Sequence, residues 1–298
     1  MTIPHFDLGG DKTPLHILHA NGYPPDCYKP LFELLKPRFH VFGMHLRPLW
    51  PGAKPEEIND WLPLSDDLLR FLDEQKAEPL LAVGHSIGGI VTLRAALREP
   101  ERFRGVILID PVLFPPRRII EWNIARMLGL GNKAHPLISG ALKRRREFDD
   151  IETVFRSYRK RPIFRNFSDE NLRAYVEGIV RPREGGGYEL VYSPEWEARI
   201  YYTGIWRDME LWRKIRGLRL PTLIIRGAES DTFWAKTAER VRRINPQVQV
   251  EAVANAGHLV PLERPREVAE LILKFANNVE QDGIPLSSKK AEHHSALH

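Results

Sequence analysis

Ser86 stands between glycines in Gly84-His85-Ser86-Ile87-Gly88-Gly89, directly after the apolar run Leu80-Leu81-Ala82-Val83. A serine hydroxyl is a poor nucleophile at neutral pH, so a protein that uses one exposes it on a sharp turn, supplies a base and surrounds the developing oxyanion with donors. Small residues two positions either side let that turn form. Ile90 to Leu97 follows as a helix-length run of small and apolar residues ended by Pro100, so strand, turn and helix come in the order a nucleophile requires. A glycine-rich phosphate loop would carry a P-loop Lys or a full G-x-G-x-x-G, and neither is present.

The base should be a histidine beyond the serine in a strand-end loop. Gln247 to Val253 alternates apolar with polar residues as a strand does, and Asn255-Ala256-Gly257-His258 follows it. In a parallel sheet His258 then shares an edge with Ser86. The acid is expected between the two. Pro221 to Gly227 reads as a buried strand, and Asp231 in the loop after it is the choice for orienting the imidazole. Glu229 is two residues away, and Asp110 ends the strand Val106 to Ile109 before Pro111; both are alternatives, the second also readable as a turn residue before proline. Oxyanion donors are backbone amides. The N–H of Ile87 is one candidate, and Asn21, in the loop His19-Ala20-Asn21-Gly22-Tyr23 after the strand Leu15 to Leu18, is the other.

Together these residues resemble the alpha/beta-hydrolase family in its serine-triad branch. Gly84 to Gly89 looks like that family's nucleophile elbow, Asp231 matches its acid after a later core strand, and Gly257-His258-Leu259-Val260-Pro261-Leu262-Glu263-Arg264-Pro265 resembles its histidine loop. The resemblance covers residues 13–111 and 218–278. Two positions depart from the family pattern: His19-Ala20 stands where His-Gly is usual, and Asp231 lies four residues after Gly227 rather than three. Serine at 86 argues against the dehalogenase and epoxide hydrolase branches, which carry an aspartate there.

Strand candidates alternate with helix candidates such as Trp61 to Glu74 and Ala235 to Ile244, which predicts a mostly parallel central sheet with helices on both faces. The alternation stops between Asp110 and Leu220. That interval is too long for a plain crossover and carries helical stretches at 122–128, 151–158, 170–179, 195–202 and 206–215. The expected organisation is a hydrolase core of residues 1–110 and 218–278, a helical cap at 111–217 with Gly185-Gly186-Gly187 as a flexible break, and a disordered polar tail at 279–298 holding His293, His294 and His298. Trp122, Phe155, Tyr158, Trp196 and Trp206 recur in the cap, and Tyr23, Trp122, Tyr158 and Trp206 are the candidates for a substrate pocket.

Residues 111–217 carry 21 Lys plus Arg against 14 Asp plus Glu, so this segment is more basic than the whole chain at +5. A solvated helix face, attraction of anionic substrates and contact with an acidic membrane surface all accommodate that excess. No nucleic-acid-binding motif accompanies it, and nucleic acid is not expected as a partner. Cys27 is the one cysteine, no apolar stretch reaches membrane-span length, and the first residues lack the pattern of a signal peptide, which together suit a cytoplasmic protein. The resulting expectation is a capped serine esterase acting on a small acyl compound without metal or organic cofactor. Carbon–carbon bond hydrolysis or a hydroxynitrile-lyase type of reaction uses the same residue types, and a ligand sensor with a hydrolase-like pocket is the alternative of another class.

Overall fold

In the computed structural model the described residues are 2–131 and 135–281. Seven strands form the central sheet: β1 (His5–Asp7), β2 (Thr13–Leu18), β3 (Phe39–Met44), β4 (Leu80–His85), β5 (Phe103–Ile109), β9 (Thr222–Gly227) and β10 (Gln249–Val253). Their order is β1-β3-β2-β4-β5-β9-β10, with β1 antiparallel to β3 and the other neighbours parallel. Successive side chains point to opposite faces, so each central strand feeds two cores. Ala82, Val106, Leu108 and Ile224 belong to one; Leu81, Val83, Ile107 and Ile225 belong to the other.

Helices cover both faces. On the first lie α2 (Leu62–Glu74) and α3 (Ile87–Arg98), whose Leu68, Phe71, Ile90 and Val91 are fully buried. On the second lie α1 (Lys29–Leu35) and the closing helix α12 (Pro265–Gln281), through Leu31, Leu35, Ile272 and Phe275. The strand order reverses between β2 and β4, and ligands of open α/β sheets bind in the crevice at such a reversal. The loops after β2 and β4 open there.

Between β5 and β9 the chain forms α4 (Pro116–Met127), α5 (Pro136–Leu142), α6 (Ile151–Arg159), α7 (Asp169–Ile179), α8 (Pro194–Thr203) and α9 (Met209–Lys214). It also forms a three-stranded antiparallel sheet, β6 (Glu147–Phe148), β8 (Tyr188–Leu190) and β7 (Val180–Pro182), so this insertion is not purely helical. Gly185, Gly186 and Gly187 are the turn of its β7–β8 hairpin rather than a break between helices. Their φ angles of 88°, 101° and 74° are conformations only glycine adopts readily. After β9 come α10 (Ala235–Ile244) and a short α11 (Val260–Glu263). The closing helix continues to Gln281, past the expected start of the tail at 279; residues 282–298, with the three tail histidines, lie outside the described residues.

Side chains tie the insertion to the core. Trp61 Nε1 donates to the Ile200 carbonyl at 3.2 Å and Arg199 Nε to that of Ile58 at 2.9 Å. Gly178 approaches the 25–28 turn so closely that a Cβ would lie 2.5 Å from the Cys27 nitrogen. Arg94 of α3 pairs with Asp208 at 2.7 Å, both buried. Burial pushes the Asp208 carboxyl up to about 6, against the opposing pull of Arg94. A raised folded-state pKa means that the folded protein holds this proton more tightly than the unfolded chain. The associated stability is therefore full below the ordinary carboxylate range and lost as pH rises through about 6. We expect the melting temperature of the wild type to fall across that window relative to Asp208→Asn, measured side by side; parallel profiles would remove this role for Asp208.

Candidate active site

Register decides what meets at the carboxyl edge of the sheet. His85 pairs with Ile109, and Ile109 with Ile225, so the next residues, Ser86 and Asp110, leave the sheet side by side. Ser86 turns the chain from β4 into α3 with φ 58° and ψ −117°, a left-handed conformation. A Cβ on Gly84 would lie 2.3 Å from the Gly88 oxygen, and one on Gly88 would lie 2.4 Å from the Leu18 oxygen, so no larger residue fits either position unless backbone moves. The Ser86 N–H is held by the Ile109 carbonyl at 2.9 Å.

His258 arrives from the far side of β9. Its loop crosses directly over Gly227, where a Cβ would sit 2.0 Å from the Gly257 oxygen, and the Glu229 N–H holds the Ala256 carbonyl at 2.9 Å. Glu263 accepts the Gly257 N–H at 2.6 Å, while burial pushes its carboxyl above the ordinary range. The crossing carries the imidazole over β9 to β5. His258 Nδ1 lies 2.8 Å from Asp110 Oδ1, and Nε2 lies 3.0 Å from Ser86 Oγ. A carboxylate only accepts, so the ring proton belongs on Nδ1 and the bare Nε2 accepts from the serine hydroxyl.

The structure thus corrects the choice of Asp231 as the partner of His258: that partner is Asp110. Asp231 is exposed, with its carboxylate receiving the Thr232 hydroxyl at 3.2 Å. Glu229 pairs instead with Arg165 at 2.8 Å. The loop after β9 serves as the donor shell of Asp110, which is fully buried. Gly227 N–H reaches Oδ2 at 2.9 Å and the Ser230 hydroxyl reaches Oδ1 at 2.6 Å. Asp110 has φ 40°, and aspartate tolerates that region better than most residues. Asp110 therefore both turns the chain before Pro111 and accepts from His258 Nδ1.

Asn21 and Ile87 line the same cavity as Ser86 and His258, and among the described residues neither N–H meets an acceptor. The Asn21 side chain is fixed from the insertion: Nδ2 donates to the Glu197 carbonyl at 3.1 Å, and Oδ1 accepts from the Tyr192 hydroxyl at 2.9 Å. Gly22, at φ 77°, leaves room for the Glu197 carboxylate, which is paired with Arg144.

His85 organises the loops from beneath. The Ala20 N–H donates to the Tyr28 oxygen at 3.1 Å, Tyr28 meets His85 Nδ1 at 2.7 Å, and His85 Nε2 meets the His258 carbonyl at 2.9 Å. A carbonyl cannot donate, so Nε2 carries the proton and Nδ1 accepts from the phenol. Burial, reinforced by the neighbouring His258, holds the His85 pKa well below the usual imidazole range. A neutral ring therefore links the early loop, the elbow and the histidine loop.

A cavity of about 450 Å³ opens over Ser86. Trp61, Val112, Phe114, Trp122 and Ile200 give it a mainly apolar wall, while Arg165, Glu229 and Asp231 lie at a polar side. Tyr23 and Trp122 line it as expected. Tyr158 and Trp206 do not: Tyr158 is buried against Phe164 and Tyr175 and accepts from Arg144, and Trp206 lies beneath the Arg126 guanidinium. Phe155 and Trp196 are likewise absent from the lining.

The chain belongs to the alpha/beta hydrolase family, whose model matches residues 17–271. It is 26% identical over 251 residues to 2-(acetamidomethylene)succinate hydrolase of Mesorhizobium japonicum, covering 83% of this chain and 82% of that protein. It is 23% identical over 275 residues to an uncharacterized hydrolase of Bacillus subtilis, covering 91% and 92%. Among solved structures, E-2-(acetamidomethylene)succinate hydrolase superposes with TM-score 0.71 at 22% identity, covering 92% of this chain and 94% of that one. An esterase of Mycobacterium tuberculosis superposes with TM-score 0.69 at 20% identity, covering 92% and 88%. These likenesses establish the fold.

The imidazole geometry predicts a low-field proton resonance for His258 Nδ1–H in the NMR spectrum. It should vanish in Asp110→Asn and persist in Asp231→Asn. The opposite pattern would return Asp231 to the ring.

Proposed function

We propose that the protein is a serine hydrolase cleaving a carboxylic ester or related small acyl compound, with Ser86, His258 and Asp110 as its triad. The observation that carries this reading is the unbroken chain from Asp110 Oδ1 through His258 to Ser86 Oγ at the floor of the cavity. Ser86 Oγ attacks the carbonyl carbon while its proton passes to His258 Nε2, and Asp110 stabilises the imidazolium by holding Nδ1–H. The carbonyl oxygen, now negative, takes hydrogen bonds from the N–H groups of Ile87 and Asn21. Ile87 is the first residue of α3, so the positive end of a 12-residue helix also faces that charge. Collapse breaks the acyl–oxygen bond, and His258 returns the proton to the leaving alkoxide. Water then attacks the acyl-enzyme with His258 as base, releasing the acid and restoring Ser86.

The insertion acts as a cap in this scheme. It supplies much of the apolar wall and holds Asn21 through Tyr192 and Glu197, so it helps set one oxyanion donor as well as the shape of the site. The family membership and the relatives named as hydrolases and esterases support hydrolysis as the reaction class.

A fluorophosphonate should label Ser86 rapidly and no other hydroxyl, as read by peptide mapping. Labelling unchanged in Ser86→Ala would remove the mechanism. Tyr192→Phe, which deletes one neutral hydrogen bond to Asn21, should lower kcat by about tenfold or less with KM nearly unchanged. A purely structural role for Tyr192 would lower the melting temperature and leave kcat intact.

A further inference from the structure

The outer face of the insertion exposes apolar surface that neither the core nor the proposed reaction uses. On α4 and at the residue that ends it, Ile120, Ile124, Met127 and Leu128 are 50%, 53%, 76% and 67% exposed. Their spacing places them on one side of the helix, opposite the buried Ile119 and Trp122. Large aliphatic side chains scattered singly are ordinary on a protein surface, whereas a contiguous row marks a contact. The Trp122 ring meets His135 edge-on at 5.1 Å, beside the start of α5, and Leu137 and Ile163, each about half exposed, both stand on the surface and line the cavity over Ser86.

Charge identifies what this face meets. The described residues between 116 and 145 include six Lys and Arg against the single acid Glu121. Arg117 and Arg118 share Glu121, Arg144 is consumed inside by Glu197, and Arg145 reaches Asp149 from the next segment, so the described residues of this segment stay net positive. A second copy of the chain would bring two basic faces together. An anionic lipid surface satisfies both features at once, taking the aliphatic side chains into its acyl boundary and the cations among its headgroups. Among the described residues no helix is long and apolar enough to cross a membrane, so the contact is peripheral.

We propose that the exposed apolar face of α4 docks the protein on an anionic lipid surface. Docking stands independently of the hydrolase reading.

Vesicle flotation of the full chain tests this directly. Vesicles of phosphatidylcholine with phosphatidylglycerol should carry the protein upward, pure phosphatidylcholine should do so weakly, and high salt should release it. Ile124→Glu/Met127→Glu should weaken binding by about a hundredfold, since two apolar side chains are replaced by charges. Arg117→Glu/Arg118→Glu should abolish the preference for phosphatidylglycerol. Both double variants should keep wild-type activity on a water-soluble short ester and a wild-type melting temperature, because the replaced side chains are exposed. Absence of wild-type flotation, or flotation unaltered in Ile124→Glu/Met127→Glu, overturns the proposal. Concentration-dependent dimers that the same variant dissolves would assign the face to a second copy and overturn it too. Flotation with no Ser86 labelling would leave docking in place and remove the hydrolase reading; labelling with no flotation would do the reverse.

Discussion

The site depends on one backbone constraint, the reversal from β4 into α3 within a single residue. Ser86 takes a left-handed conformation that costs a non-glycine residue about 1–3 kcal/mol and persists only where its surroundings over-determine it. Those surroundings are visible on every side. Gly84 and Gly88 bring backbone within reach of backbone, Ile109 holds the serine N–H, and the buried Ile87, Ile90 and Val91 dock α3 on the sheet. The strain raises Ser86 Oγ at the sheet edge while leaving the N–H of Ile87 unspent beside it.

The remaining groups are brought to that serine by three independent routes. Strand register delivers Asp110, because β5 runs parallel to β4 and ends level with it. A loop crossing over Gly227 delivers His258 from beyond β9. The insertion holds Asn21 by its side chain, so the backbone amide is positioned by residues more than 170 positions away in sequence. Neutral His85, bonded to Tyr28 and to the His258 carbonyl, fastens these routes to one another below the cavity. Its neutrality follows from burial, and its tautomer follows from the donors and acceptors around it.

Features set by a few consecutive residues were readable before any coordinates. The elbow around Ser86, the loop holding His258, the parallel sheet and the helix at Ala235–Ile244 all have local signatures of glycine placement, alternation or helical periodicity. The carboxylate partner does not. Asp110 and Asp231 both follow buried strands, and only the path of the histidine loop across β9 decides between them. Ser230, the residue immediately before Asp231, donates to Asp110. The aromatic residues of the insertion divide for a similar reason: Trp122 faces the cavity, whereas Tyr158 is enclosed by Phe164 and Tyr175 within the insertion's own core. Composition shows how many aromatic rings a segment has, and packing decides which way each one faces.

The central claim is that the strained serine, His258, Asp110 and two backbone amides act as one device. A crystal structure of the protein after reaction with a phosphonate ester would test it most directly. The account predicts phosphorus bonded to Ser86 Oγ, the phosphonyl oxygen about 3 Å from the N–H groups of Ile87 and Asn21, and His258 still bonded to Asp110. Phosphorus on another residue, an oxygen turned away from both amides, or His258 swung onto Asp231 would contradict it.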